Sequence, residues 1–205
     1  MNNKRIEITT FAALMKYAIF ALTMLLAGCA GAQHGLRRGD LLFHVVSQGN
    51  HITDVTPGQT DHVAIYAGNG LVLEAIPRAG VVTTLLDTVL QREAGHYVRG
   101  RVRGVDVAQS LSNARQYLGL PYDSLFLPTA EAIYCSELVQ LAYVDKHGRR
   151  LFHAIPMSFH DETGRITPYW QQFYEQRGLS VPEGEPGTNP GELSQRKAVV
   201  IKKLK

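Results

Sequence analysis

Cys135 stands at the head of Leu138, Val139, Leu141, Ala142 and Val144, apolar residues that recur at helical spacing. The spacing predicts a buried helix with the thiol in its first turn. A thiol there faces backbone N–H groups that lack an intrahelical partner, and the positive end of the helix dipole. Both favour a thiolate, the form of cysteine that attacks carbonyl groups. A free cysteine is equally at home as a small buried hydrophobe, and position alone does not choose.

A thiolate nucleophile needs a base, and the base needs a third group to hold it. Of eight histidines, His62 is the best candidate, because it opens the apolar run Val63-Ala64-Ile65-Tyr66 and packing can fix its ring. Glu74 is the best third member: a carboxylate inside the otherwise apolar run Leu71-Val72-Leu73-Glu74-Ala75. Buried carboxylates are rare unless paired. The bland alternatives are a half-buried strand histidine and an exposed alternate position of a strand.

These two side chains belong to adjacent strands of one hairpin, which sets a parity condition. Side chains alternate across a sheet, so His62 and Glu74 share a face only with an odd loop or a bulge. A plain two-residue Asn69-Gly70 turn separates them. A three-residue loop of Ala67, Gly68 and Asn69 sets them directly opposite each other. The expectation is an odd loop or a bulge.

The remaining elements follow from pattern. Gly39-Asp40 precedes a strand at 41–46; residues 47–60 are rich in Ser, Gly, Asn, Thr, Asp and Pro and predict a loop. Short strands are predicted at 81–84 and 96–103, the latter with Arg99, Arg101 and Arg103 on one face. Those arginines suit either phosphate headgroups or, more simply, a solvated sheet edge. Asp106 caps a predicted helix over 107–118, and the Cys135 helix is expected to run to near Gly148. A short amphipathic helix follows Pro168; its Tyr169, Trp170, Phe173 and Tyr174 read as a packing face rather than a substrate platform. Residues 179–194 hold three prolines and three glycines and are expected to be irregular, before a closing strand at 198–201. Strands lead and helices follow, an α+β domain over 39–205 with no internal repeat.

The first 28 residues read as a targeting segment. A basic start leads into an apolar run at 17–27, too short to span a bilayer comfortably, which ends in Leu26-Ala27-Gly28-Cys29. This resembles a bacterial lipobox and implies a signal peptide at 1–28 and acylation of Cys29. Residues 29–38 then form a lipidated, short tether, whose extended reach of roughly 30 Å keeps the domain close to the membrane. Ala30 fits outer-membrane sorting, facing the periplasm, in a Gram-negative host. Glu7 is unusual in such a segment, and Met15-Lys16 offers a cleaner start. If Cys29 carries lipid, Cys135 has no disulfide partner.

The whole chain has a formal charge of +3, and Lys4, Arg5, Lys16 and Glu7 fall in its first 28 residues. The rest is therefore close to neutral, at about +1, which gives nucleic-acid binding no electrostatic support. No His-Glu-x-x-His motif is present, and His153 and His160 lie seven apart in an irregular stretch, so neither metal nor cofactor is called for.

Gly39-Asp40-Leu41-Leu42-Phe43, Asp61-His62-Val63-Ala64-Ile65-Tyr66, Leu73-Glu74-Ala75, Gly119-Leu120-Pro121-Tyr122-Asp123 and Tyr134-Cys135-Ser136-Glu137-Leu138-Val139 occur in that order. A later stretch, Asn189-Pro190-Gly191-Glu192-Leu193, adds to them. The set resembles the circularly permuted papain-like amidases of YiiX/YaeF type, a branch of the NlpC-like superfamily in which histidine precedes cysteine. The resemblance implies a six-stranded-type antiparallel sheet with the nucleophile helix packed on it. It implies Cys135 as nucleophile, His62 as base and Glu74 as third member. Tyr134 and Tyr122 are weaker candidates for lining the cleft or, for Tyr134, serving an oxyanion hole. The implied activity is hydrolysis of an amide bond, peptide or N-acyl. The rivals are a lipid acyltransferase or thioesterase with the same acyl-cysteine chemistry, and an inactive binding module. A long apolar groove beside Cys135 would favour the lipid rival; a narrow polar cleft would favour the amidase.

Overall fold

A computed structural model describes residues 34–92 and 95–204. Cys29, the apolar run at 17–27 and most of the tether lie outside the described residues. Among the described residues no helix is long and apolar enough to cross a membrane.

The fold is α+β. Among the described residues there are eight strands: β1 (Leu41–Val46), β2 (Thr60–Gly68), β3 (Leu71–Ile76), β4 (Gly80–Leu85), β5 (Gly95–Val102), β6 (Ile155–Pro156), β7 (Pro186–Gly187) and β8 (Val199–Lys203). Six of them form an antiparallel sheet in the order β4-β3-β2-β1-β5-β8, and β6 pairs with β7. The helices are α1 (Leu86–Leu90), α2 (Val107–Gln116), α3 (Cys135–Ala142), α4 (Pro168–Glu175) and α5 (Pro190–Gln195).

Both faces of the central strands are covered, which is why β1 and β2 read as nearly continuous apolar runs. Leu41, Phe43, Val63, Ile65, Leu73 and Ala75 pack with Leu111 and Ala114 of α2 and Leu138 and Val139 of α3. On the other face Leu42, Ala64, Tyr66 and Val72 pack with Leu86 and Val89 of α1 and with Leu36. Met157, Phe159, Trp170 and Tyr174 form a separate cluster at α4 and the paired strands β6 and β7. α2 starts as expected, with Asp106 accepting a hydrogen bond from the Gln109 N–H at 3.0 Å.

The hairpin meets its parity condition through a bulge. Asn69 and Gly70 form a two-residue turn with positive φ at both positions, 53° and 69°, the geometry that matches strand twist. The turn pairs Gly68 with Leu71, yet the next pair is Tyr66 with Val72. Ala67 is the extra residue, and it brings His62 and Glu74 back to one face. On the register Ile65–Leu73, Ala64 falls beside Glu74 and His62 lies two residues further along the same face. The three-residue loop with directly opposed side chains does not form.

A second bulge lies under the site. His44 pairs with His62 but Val45 pairs with Thr60, so Asp61 is the extra residue of β2. Bulges re-aim side chains, and this one turns Asp61 and His62 toward the same end of the sheet.

Several expected boundaries shift. The Cys135 helix ends at Ala142 rather than near Gly148, because Tyr143 is extended and Val144 and Asp145 enter β-bridges with Arg150 and Val105. Gly148, at φ 75°, serves that turn instead of closing a helix. Residues 179–194 are not wholly irregular: they contain β7 and the start of α5, whose cap Asn189 accepts from the Glu192 N–H at 2.7 Å. The arginine stripe is not a solvated edge. Arg101 binds both oxygens of Asp40 at 2.8 and 2.7 Å, and Arg99 donates to the Gly35 carbonyl at 2.7 Å. Two of the three arginines therefore clamp the segment that enters the domain.

Gly80 fixes the turn that carries Tyr122. Its φ is +73°, and a Cβ there would sit 2.1 Å from the Leu120 carbonyl oxygen. That carbonyl accepts from the Val81 N–H at 2.9 Å, and the Gly119 N–H returns a bond to the Val81 carbonyl. Gly80→Ala should cost about 3 kcal/mol by straining backbone that cannot retreat. Urea unfolding at equal slope reads the loss; an unchanged midpoint would sink it.

Candidate active site

α3 begins at the site because Tyr134, in the extended region, is its N-cap and Glu137 lies in its first turn. The Glu137 carboxylate accepts from the Tyr134 N–H; burial nevertheless pushes Glu137 up to about 7, with Asp123 adding to the rise. No side chain caps the helix, so the first-turn N–H groups point beyond its end. Cys135 is buried there with 5% of its surface exposed.

His62 joins this helix end to the sheet. Its Nε2 donates to Glu74 Oε2 at 3.0 Å, and its ring also hydrogen-bonds Cys135. A carboxylate only accepts, so Nε2 carries a proton and the bond to sulfur falls to Nδ1. Burial pulls the imidazolium down. The hydrogen bonds to Cys135 and Glu74 and the negative charge at both outweigh it and hold His62 at about 9.

Glu74 is fully buried. Burial opposes its charge, but hydrogen bonds from His62 and Arg92 hold it near 2. Arg92 binds it through both arms, Nη1 to Oε2 and Nη2 to Oε1, each at 2.6 Å. This bidentate fork is the strong form of a buried ion pair. Arg92 itself is held above its ordinary value, first by the bond to Glu74 and against burial. The result is a chain of four groups: Cys135, His62, Glu74 and Arg92.

Arg92 escaped sequence reading. It stands just after α1 with no motif around it, and only the buried carboxylate at Glu74 hinted that a cation had to exist. Ser136, beside the cysteine, is fully buried and its hydroxyl accepts from Thr188 Oγ1 at 3.1 Å. Tyr134 lines the pocket with Cys135, but its hydroxyl is already used: it accepts from the Thr188 N–H at 3.0 Å and faces the Met157 sulfur. Tyr122 pairs with Ile133 in a parallel bridge and borders both cavities of the site.

The first cavity, about 50 Å³, lies against Cys135 and is lined mainly by apolar and aromatic side chains, among them Phe126, Met157 and Phe159. The second is an open groove of about 520 Å³ beside His62 and Arg92, walled by Pro77, Tyr97, Phe126, Tyr169 and Phe173. Trp170 and Asp61 border both. The aromatic residues of α4 are thus a packing face and a groove wall together. His160 pairs with Glu183 at 3.1 Å, away from His153, and among the described residues no three His, Cys, Asp or Glu side chains gather to hold a metal ion.

An antiparallel sheet whose early strand supplies histidine to a cysteine on a later helix is a papain-like arrangement in permuted order. The chain belongs to the permuted papain-like amidase family of YaeF/YiiX type, whose profile matches residues 35–199. It is 30% identical over 145 residues to the uncharacterized protein YiiX of Escherichia coli strain K12, across 67% of this chain and 71% of that protein. The crystal structure of YiiX from Escherichia coli O157:H7, described as a metalloprotein, superposes with a TM-score of 0.65 at 21% identity, covering 82% of this chain and 97% of that one.

Proposed function

We propose that this protein is a membrane-tethered cysteine hydrolase of the cell envelope that cleaves an amide bond, peptide or N-acyl. The observation that carries the reading is the hydrogen-bonded series Cys135–His62–Glu74–Arg92 at the mouth of two cavities. Family membership supports the amidase class.

In the resting enzyme the Cys135 thiolate faces the His62 imidazolium. The sulfur attacks the substrate carbonyl, and the tetrahedral oxyanion is met by the Cys135 N–H at the helix start. His62 passes its proton to the leaving nitrogen, the C–N bond breaks, and an acyl-cysteine remains. Water then enters; His62 takes one of its protons as the hydroxyl adds to the acyl carbon. Collapse releases a carboxylic acid and restores the ion pair. Glu74 keeps the ring in the tautomer and orientation this cycle needs, as the acid of a triad does. The short tether expected at residues 29–38 keeps the site within reach of the envelope surface.

One observation favours a second reading. The open groove has more apolar and aromatic wall than polar, which suits an acyl chain. A lipid acyltransferase or thioesterase would use the same acyl-cysteine and hand the acyl group to another acceptor.

Product identity decides between them. The protein is incubated with peptidoglycan fragments, N-acyl amino acids and phospholipids, and products are identified by mass spectrometry. Cys135→Ala should abolish every product. Free amine from a peptide or N-acyl substrate supports the amidase; acyl transfer from phospholipid supports the rival. Turnover that survives Cys135→Ala would overturn both.

A further inference from the structure

Asp61 is a charged group that the proposed mechanism leaves unused. It is the extra residue of the β2 bulge, immediately before His62, and its side chain is 20% exposed. Two neighbours hold it: His44 Nδ1 donates to Oδ1 at 2.7 Å and Asn50 Nδ2 donates to Oδ2 at 2.7 Å. Those bonds fix the carboxylate rather than bury it. An ionised carboxylate offers about four acceptor positions, and the two partners occupy one on each oxygen. The remainder face the cavities, since Asp61 lines both the pocket at Cys135 and the groove at His62.

Charge balance makes this placement unusual. In the resting series Cys135, His62, Glu74 and Arg92 alternate in sign and cancel. Asp61 stands outside that series, at the junction of the cavities, and His44 is an ionic partner for it only when that imidazole is protonated. Burial opposes its charge, but the bonds from His44 and Asn50 and the nearby His62 hold it below the usual carboxylate range, so it is ionised at neutral pH. Among the described residues it is the only acidic side chain lining the Cys135 pocket; aromatic Tyr122, Phe126, Tyr134, Phe159 and Trp170 make up much of the rest. One fixed carboxylate within an aromatic wall is the chemistry that recognises an alkylammonium. The pocket, at about 50 Å³, has room for roughly four water-sized bodies, enough for an ammonium group and a few carbons.

We propose that Asp61 and the aromatic pocket beside Cys135 form a cation subsite, which selects amide substrates carrying an aliphatic amine a few bonds from the scissile carbonyl. This rests on Cys135 being the nucleophile and adds the substrate class. Asp61 is a specificity residue, with no part in proton transfer.

The probe is n-butylammonium chloride, with n-butanol as its uncharged counterpart and sodium chloride at equal ionic strength as control. Trp170, the single tryptophan of the chain, borders both cavities and reports occupancy by fluorescence. n-Butylammonium should bind saturably and at least about tenfold more tightly than n-butanol, and it should slow alkylation of Cys135 by iodoacetamide, read on the Cys135 peptide by mass spectrometry. Asp61→Asn should weaken binding about tenfold and remove the protection; Asp61→Glu, which keeps the charge, should retain most of both. Equal binding of amine and alcohol to the wild-type protein overturns the subsite, as does full binding by Asp61→Asn. A Cys135 that resists iodoacetamide in the wild-type protein counts against the proposed nucleophile instead. The fluorescence titration decides the subsite in either case.

Discussion

His62→Ala should lower amide hydrolysis by roughly three orders of magnitude while leaving the fold intact. The ring is asked to do two things: hold a proton beside Cys135 and give it to the leaving nitrogen. General acid–base catalysis of this kind contributes roughly 10²–10⁴-fold, and loss of the paired cation adds to it. Structure depends less on the residue, because His62 sits at the start of β2, partly open to the groove, and not among the apolar residues of the sheet core. A pH profile separates its role from simple packing. The ring is held at about 9, above its ordinary 6.5. Its charged form therefore contributes stability that is fully present below about pH 6.5 and is lost as pH rises through about 9. Alkylation of Cys135 by iodoacetamide should stay level through neutral pH and change near pH 9, where the imidazolium loses its proton. In His62→Ala that step should vanish. A step near pH 9 that survives in the variant would show that another group sets it.

Glu74→Ala should cost about 3 kcal/mol of stability as well as activity. Glu74 is fully buried and bound by Arg92 through both arms and by His62. Removing one partner of such a pair leaves the other charged, partly buried and unsatisfied, which is dearer than the net worth of the pair. Arg92→Ala alone should be similarly damaging, because it strands the carboxylate. The double variant Glu74→Ala/Arg92→Ala should be less unstable than the two single losses added together, by about 1–3 kcal/mol. Denaturant melts of the four proteins give the coupling directly; strict additivity would mean the fork contributes nothing. The pH dependence carries its own sign. Glu74 is held near 2, below its ordinary 4.5, so its contribution is present above about pH 4.5 and is lost as pH falls through about 2. Glu74→Ala should flatten that acid limb. Activity should fall too, since nothing else described bonds Nε2 of His62.

Most of the strands and three of the four groups of the chemical series were written in the chain. Alternation and apolar runs depend on local backbone geometry, so β1 to β5, β8 and α2 could be read from pattern. His62, Glu74 and Cys135 could be singled out because a polar group in an apolar run is conspicuous, and the parity of the hairpin demanded an irregularity between them. Which irregularity was beyond local reading: Asn69-Gly70 favours its tight turn, and the bulge at Ala67 exists because the tertiary core fixes which face each strand presents. α3 stops early for the same kind of reason, since Val144 and Asp145 gain bridges across the fold that helix propensity does not record. Arg92 and the setting of Asp61 belong wholly to three dimensions. A guanidinium finds a carboxylate eighteen residues away, and a bulge turns a carboxylate toward a cysteine seventy-four residues later, through contacts that no spacing along the chain encodes. Sequence determined which groups could do chemistry here; burial, charge pairing and the two bulges decided which of them meet.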